Sequence, residues 1–241
     1  MITMNERNPE EIDRLIQENW DGVCEEVADA AKESGRSAED VTIIGVTKYV
    51  DTDWTASLVM AGCHHLGENR PQVLWGKAES PGFPTKAKWH MIGHLQTNKV
   101  RRLLRYQPLI HSVDSERLLD LIAQESVAKN QQTRLLLEVN ISGDESKTGM
   151  QPQMIEAMIR REIPPGIEIM GLMAMAGLDG DLDNAQRQFH EVRELRDRLS
   201  SESGLELKEL SMGMSADYQQ AIAAGATMVR IGSRLFDGLL H

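Results

Sequence analysis

Val41-Thr42-Ile43-Ile44-Gly45-Val46-Thr47 is a run of β-branched, apolar and small residues without polar alternation, and it stops at Lys48-Tyr49-Val50-Asp51 before a helical pattern resumes. A strand apolar on both faces belongs to a sheet covered on both sides, which means a parallel sheet with crossover helices. The same alternation repeats along the chain. Strand-like runs cover residues 41–47, 63–67, 89–93, 109–113, 134–140, 167–173, 207–212 and 227–231. Helical patterns cover residues 53–61, 70–77, 96–104, 115–129, 151–161, 182–201 and 216–224, and a further helix, 10–33, precedes the first strand. Eight βα units in 241 residues predict a single α/β domain, residues 1–241, folded as a (β/α)8 TIM barrel with an extra N-terminal helix. An open dinucleotide-binding sheet would place a glycine-rich turn after its first strand, and Thr47-Lys48-Tyr49-Val50-Asp51-Thr52 contains no glycine.

Composition narrows the partners. The chain carries 26 basic and 37 acidic residues, a net charge of −11, which argues against nucleic acid and against an anionic membrane surface. Cys24 and Cys63 have no metal-type or disulfide-framework spacing, and no apolar stretch approaches the ~20 residues of a membrane span. A cytoplasmic protein with a small-molecule or protein partner is expected.

In a barrel of this kind the loops after the C-terminal ends of the strands share one site. Lys48 follows the first strand. Burial at a strand mouth would lower its pKa and make it a nucleophile; alternatively its stem packs and its head reaches water. The loops after strands seven and eight, where such barrels often bind phosphate, offer Gly213-Met214-Ser215 and Gly232-Ser233. Ser215 stands where the helical pattern 216–224 begins, so its hydroxyl and the first free N–H groups could face an anion, or it could simply cap the helix. A lysine nucleophile and a phosphate cradle together suggest pyridoxal 5'-phosphate (PLP). Arg230 is placed to meet the pyridine nitrogen, where an arginine would keep that nitrogen unprotonated and the ring a poor electron sink.

From Val41 to Gly238 the chain resembles the pyridoxal phosphate homeostasis protein family, whose barrel is similar to the N-terminal domain of alanine racemase. The resemblance is carried by Leu66-Gly67-Glu68-Asn69-Arg70, Trp89-His90-Met91-Ile92-Gly93-His94-Leu95-Gln96-Thr97-Asn98-Lys99, Ile110-His111-Ser112-Val113-Asp114-Ser115 and Val139-Asn140-Ile141-Ser142-Gly143 with Ser146-Lys147. It continues through Gly171-Leu172-Met173, Leu210-Ser211-Met212-Gly213-Met214-Ser215-Ala216-Asp217-Tyr218 and Val229-Arg230-Ile231-Gly232. It implies that PLP is held as a Schiff base on Lys48, that Arg230 approaches the ring nitrogen, that Ser215, Gly232 and Ser233 hold the phosphate, and that Asn69 lies near the ring. Val50 and Gly177 depart from it, standing where the family often has proline.

His64, His65, His90 and His111 are read as packed or rim histidines rather than metal ligands, His94 and Gln96 as pocket-lining, and Met173 and Met214 as neighbours of the ring. Two functions are weighed: intracellular PLP homeostasis by storage, buffering or transfer, with no catalytic residue, or a PLP-dependent amino-acid racemase. Racemisation needs a second acid/base, which alanine racemase takes from an extra β-domain and a partner subunit, and none is recognised here. The carrier is therefore expected, as a monomer or weak homodimer, with PLP and apo PLP-dependent enzymes as partners.

Overall fold

The computed structural model describes residues 8–143, 148–177 and 181–240; Ser146 and Lys147 of the family resemblance lie outside them. Helix α1 (Pro9–Glu33) comes first and is followed by strand β1 (Thr42–Val46), α2 (Thr52–Met60), β2 (His65–Glu68), α3 (Pro71–Ala78) and β3 (Lys88–Met91). Then come α4 (Val100–Leu103), β4 (Leu109–Val113), α5 (Glu116–Ala128), β5 (Thr133–Val139), α6 (Pro152–Arg160), β6 (Ile167–Ala174), α7 (Leu182–Ser203), β7 (Glu209–Met214), α8 (Tyr218–Ala223) and β8 (Met228–Ile231). All neighbouring strands are parallel, in sequence order, and β8 closes on β1 with Thr42 opposite Met228 and Gly45 opposite Ile231. This is the (β/α)8 barrel expected from the sequence.

The strands are apolar on both faces because both are covered. Outside the barrel, Leu58, Leu74, Leu119, Ile155, Phe189 and Ile222 of the surrounding helices pack onto it. Inside, Ile44, Leu109, Leu136, Met173 and Met228 form a separate apolar layer, each side chain contributing about 1.5–3 kcal/mol by leaving water. Met173 belongs to this lumen layer rather than to the site.

Helix α1 is started by Asn8, whose side chain accepts from the Glu10 N–H, and by Pro9. Its buried stripe, Ile12, Ile16, Val23, Val27 and Ala31, lies against the barrel's closing seam. Asn19 donates to the Asp237 carbonyl (3.1 Å), and Glu26 accepts from Tyr218 and Arg234. No helix among the described residues is long and apolar enough to cross a membrane.

Two expected helices differ. Residues 96–104 form two 3-10 turns around the single turn of α4, and the run stops at Gln107, which is left-handed (φ 47°), ahead of Pro108. Helix α8 begins at Tyr218 rather than at residue 216, because Asp217 Oδ1 accepts the Met214 N–H (2.6 Å) and folds residues 214–217 into a turn. Ser215 therefore does not cap a helix.

At both departures from the family pattern the backbone N–H makes a hydrogen bond. The Val50 N–H donates to the Thr47 carbonyl (3.1 Å), and the Gly177 N–H donates to Gln188 Oε1 (2.8 Å). A proline could make neither bond.

Candidate functional site

At the C-terminal mouth of the barrel, Lys48, Asn69, Ser215, Arg230, Gly232 and Ser233 line one cavity of about 490 Å³, within the usual range for a small-molecule site. His94, Glu138, Tyr49 and Met214 are among the other residues of its wall, and Lys48 is its one lysine among the described residues. Gln96 lines a neighbouring surface groove instead.

Lys48 sits in the turn after β1 with its head exposed, and Nζ lies 4.8 Å from the centroid of the Tyr49 ring. The burial expected for it falls on another lysine. Lys77, on α3, is buried and donates to the Thr47 carbonyl (2.8 Å) and to Glu68 Oε1 (2.7 Å), which also accepts from Thr47 Oγ1 (2.6 Å). Burial pulls the Lys77 ammonium down from its usual range, and Glu68 opposes this. The residue before Lys48 is thus clamped through both its backbone and its hydroxyl, while Lys48 itself is free to reach into the cavity.

The opposite wall is tied together across two loops. Ser215 Oγ accepts the Gly232 N–H (3.1 Å), so in this arrangement the Gly232 donor is turned to Ser215, while the Ser215 hydroxyl hydrogen remains able to donate. Ser233 opens a 3-10 turn, Ser233–Phe236, whose first N–H groups have no partner within the turn. The β7 loop needs a glycine: Gly213 has φ +89°, and a Cβ there would lie 2.6 Å from that of Ala221. Gly93 lets the β3 loop approach Asn69, since a Cβ on it would be 2.4 Å from the Asn69 carbonyl oxygen.

Arg230 forms the floor and is 4% exposed. Its Nη1 donates to the Ser211 carbonyl (2.7 Å) and hydroxyl (2.8 Å), and Nη2 donates to the Ala174 carbonyl (2.9 Å). A guanidinium has five N–H bonds, so two remain for the cavity. Burial lowers its pKa to about 10, against the pull of Asp217 and Glu138, and it stays charged at neutral pH.

Three polar groups stand at or beneath the mouth; His94 lines the pocket as expected, whereas Glu138 and the Lys77–Glu68 pair were not expected as site residues. Glu138, buried on β5, accepts from Thr148, and burial raises its carboxyl above the usual range. His94 Nδ1 meets Asp114 Oδ2 at 2.9 Å, leaving Nε2 directed elsewhere. Lys77 with Glu68 is the third. His65, His90 and His111 spend ring nitrogens on one another.

Residues 24–239 match the family described as alanine racemase, N-terminal domain. The chain is 39% identical over 211 residues to a pyridoxal phosphate homeostasis protein of Deinococcus radiodurans (87% of this chain, 95% of that protein). It is 35% identical over 215 residues to one of Aquifex aeolicus (89% and 94%). Among solved structures, PipY of Synechococcus elongatus with PLP bound superposes with a TM-score of 0.76 at 31% identity, covering 87% of this chain and 99% of that one.

Proposed function

Because the chain belongs to the pyridoxal phosphate homeostasis family, built on the alanine racemase N-terminal barrel, we propose that it binds PLP in the C-terminal cavity and serves PLP homeostasis by storage, buffering or transfer. One observation carries this reading: Lys48, a two-loop hydroxyl-and-glycine wall and an arginine floor converge on one cavity. The residues fit the group. Lys48, exposed on a clamped backbone, supplies the amine for a Schiff base to the aldehyde. Ser215 and Ser233 supply hydroxyl donors and the β8 turn supplies N–H groups for the phosphate, each charge-assisted bond being worth about 1.5–3 kcal/mol. Arg230 presents donors only, so the group opposite it must be an acceptor, as an unprotonated pyridine nitrogen is. Asn69 sits at the wall beside Lys48.

When bound, PLP supplies a reactive aldehyde and an electron-withdrawing ring. A donor-only floor weakens the second property and leaves the first intact, which favours a carrier over an enzyme. The single domain would act in the cytoplasm, with apo PLP-dependent enzymes as recipients. An absorption spectrum with and without PLP, followed by borohydride reduction and peptide mapping, tests the site. The pyridoxyl group is expected on Lys48, and its recovery on Lys99 would overturn the assignment. Deuterium wash-in at the α-carbon of amino acids tests the carrier reading. Background exchange together with cofactor transfer to an apo-enzyme is expected, and rapid exchange lost in Lys48→Ala would establish an enzyme instead.

A further inference from the structure

A line of hydrogen bonds crosses the barrel lumen beneath the cavity. His65 Nδ1 meets His90 Nε2 at 2.9 Å, His90 Nδ1 meets His111 Nε2 at 2.8 Å, and His111 Nδ1 meets Ser211 Oγ at 2.8 Å. Strands β4 and β7 are not neighbours in the closed barrel, so the His111 to Ser211 contact spans its interior. His90, His111 and Ser211 are at most 3% exposed, while His65 is half-buried at the start of β2. The line ends on Arg230.

The proton positions follow from counting donors. A neutral imidazole has one N–H and one lone pair, and a hydroxyl has one hydrogen. Ser211 Oγ already accepts from Arg230, so its own hydrogen is free for His111 Nδ1. His111 then carries its proton on Nε2 and gives it to His90 Nδ1, and His90 gives its Nε2–H to His65 Nδ1. Reversing the direction would leave the Ser211 hydrogen without an acceptor among these groups. Every bond therefore points away from Arg230, and the lone-pair end of each imidazole faces it.

We infer that Ser211, His111, His90 and His65 form one polarised relay whose aligned neutral rings stand in for the missing counter-ion of Arg230 and hold its two remaining N–H groups toward the cavity. Among the described residues no carboxylate lies within ion-pairing distance of Arg230. Oriented dipoles in a low-dielectric interior stabilise a cation without neutralising it, leaving its charge for a ligand. The relay's surroundings keep it uncharged. Burial is the main cause, and His64, Lys88, Arg134 and Arg230 add positive potential, holding His65 down to about 4, His90 to about 3 and His111 well below its usual value. The relay residues are positioning residues. Only their effect on ligand binding rests on the PLP reading.

The test begins with ligand-free, 15N-labelled protein and two-bond 1H–15N spectra of the histidine rings. His65, His90 and His111 should all be neutral and protonated on Nε2 between about pH 8 and about pH 5. An Nδ1–H tautomer or a cation at His90 or His111 at neutral pH would overturn the relay. Ser211→Ala should turn the single His111 tautomer into a mixture and lower PLP affinity roughly tenfold, the loss of one hydrogen bond, and Ser211→Thr should restore both. Unchanged His111 and Arg230 side-chain resonances in Ser211→Ala would also refute it. His65→Gln, at the far end, should still shift the Arg230 Nε–H resonance, whereas a role confined to local packing predicts no shift there. If the wild-type tautomers are as expected but the protein does not take up PLP, the functional reading fails and the relay stands.

Discussion

Lys77 and Arg230 are both buried cations of the same barrel, held in opposite ways. Lys77, under β1, touches a carboxylate, Glu68 Oε1, at 2.7 Å. Arg230, on the neighbouring strand β8, rests on two carbonyls and a hydroxyl backed by imidazoles. The pair under β1 matches one charge with another, and its work is to fix the strand end that carries Lys48. The arginine is left open, which suits a group that must meet a ligand. Burial alone does not tell a structural charge from a functional one; the chemistry of its partners does.

The largest effect that would sharpen this contrast is on acidification. Histidines whose folded pKa lies below the ordinary 6.5 bind fewer protons folded than unfolded, so stability is full above about pH 6.5 and is lost as pH falls toward about 4 for His65 and about 3 for His90. Each such group contributes up to about 1.4 kcal/mol per pH unit in that window, less for half-exposed His65. Urea unfolding at a series of pH values should show this slope, and His90→Leu should be less stable at neutral pH but flatter. A flat wild-type profile would remove the distinction between the two cations.

Next is Glu68→Ala, which strands a buried ammonium and should cost about 3–5 kcal/mol in urea unfolding, with Glu68→Ala/Lys77→Met recovering much of it. A single-variant loss below about 1 kcal/mol would mean that the pair is not matched as described. Ser215→Ala should weaken PLP binding by about 1.5–3 kcal/mol by equilibrium dialysis while affinity for unphosphorylated pyridoxal hardly changes. Equal losses for both ligands would place the phosphate elsewhere. The smallest effect is on stability in Lys48→Ala, expected within about 0.5 kcal/mol because the side chain is exposed, although borohydride labelling should vanish. A large loss of stability would make Lys48 a structural residue like Lys77.

The barrel was legible because each strand is a short apolar run bounded by helical patterns, and the closing pair needs no further signal once eight units are counted. Site residues on strand ends and their loops followed from the same frame: Lys48, Ser215, Arg230, Gly232 and Ser233 all reached one cavity. The start of α8 was misplaced because Ala216 and Asp217 suit a helix locally, and only the Asp217 bond to Met214 shows the turn. Lys77 was hidden because a lysine in an eight-residue helix reads as solvated, and its contact with Glu68 exists only once α3 packs on the sheet. The histidine relay left a trace, a histidine in each of three successive strand runs. Their alignment depends on strand register and tilt, which spacing does not supply.

The closing seam under α1 also sets an order of events in time. Arg36 donates to the Ala226 carbonyl, 190 positions away (2.8 Å), and β1 completes its pairing only with β8. At the pace of a ribosome, ~5–20 residues per second, these two stretches emerge roughly 10–40 s apart. Until then α1 lacks part of the surface that covers its apolar stripe and β1 keeps one unpaired edge, so the nascent chain carries both an apolar helix face and an open sheet margin while most of the barrel is still being made. A chain that pauses before β8 would show both surfaces to chaperones or to other nascent copies, and codon changes that slow synthesis after β7 should raise aggregation without altering a single residue.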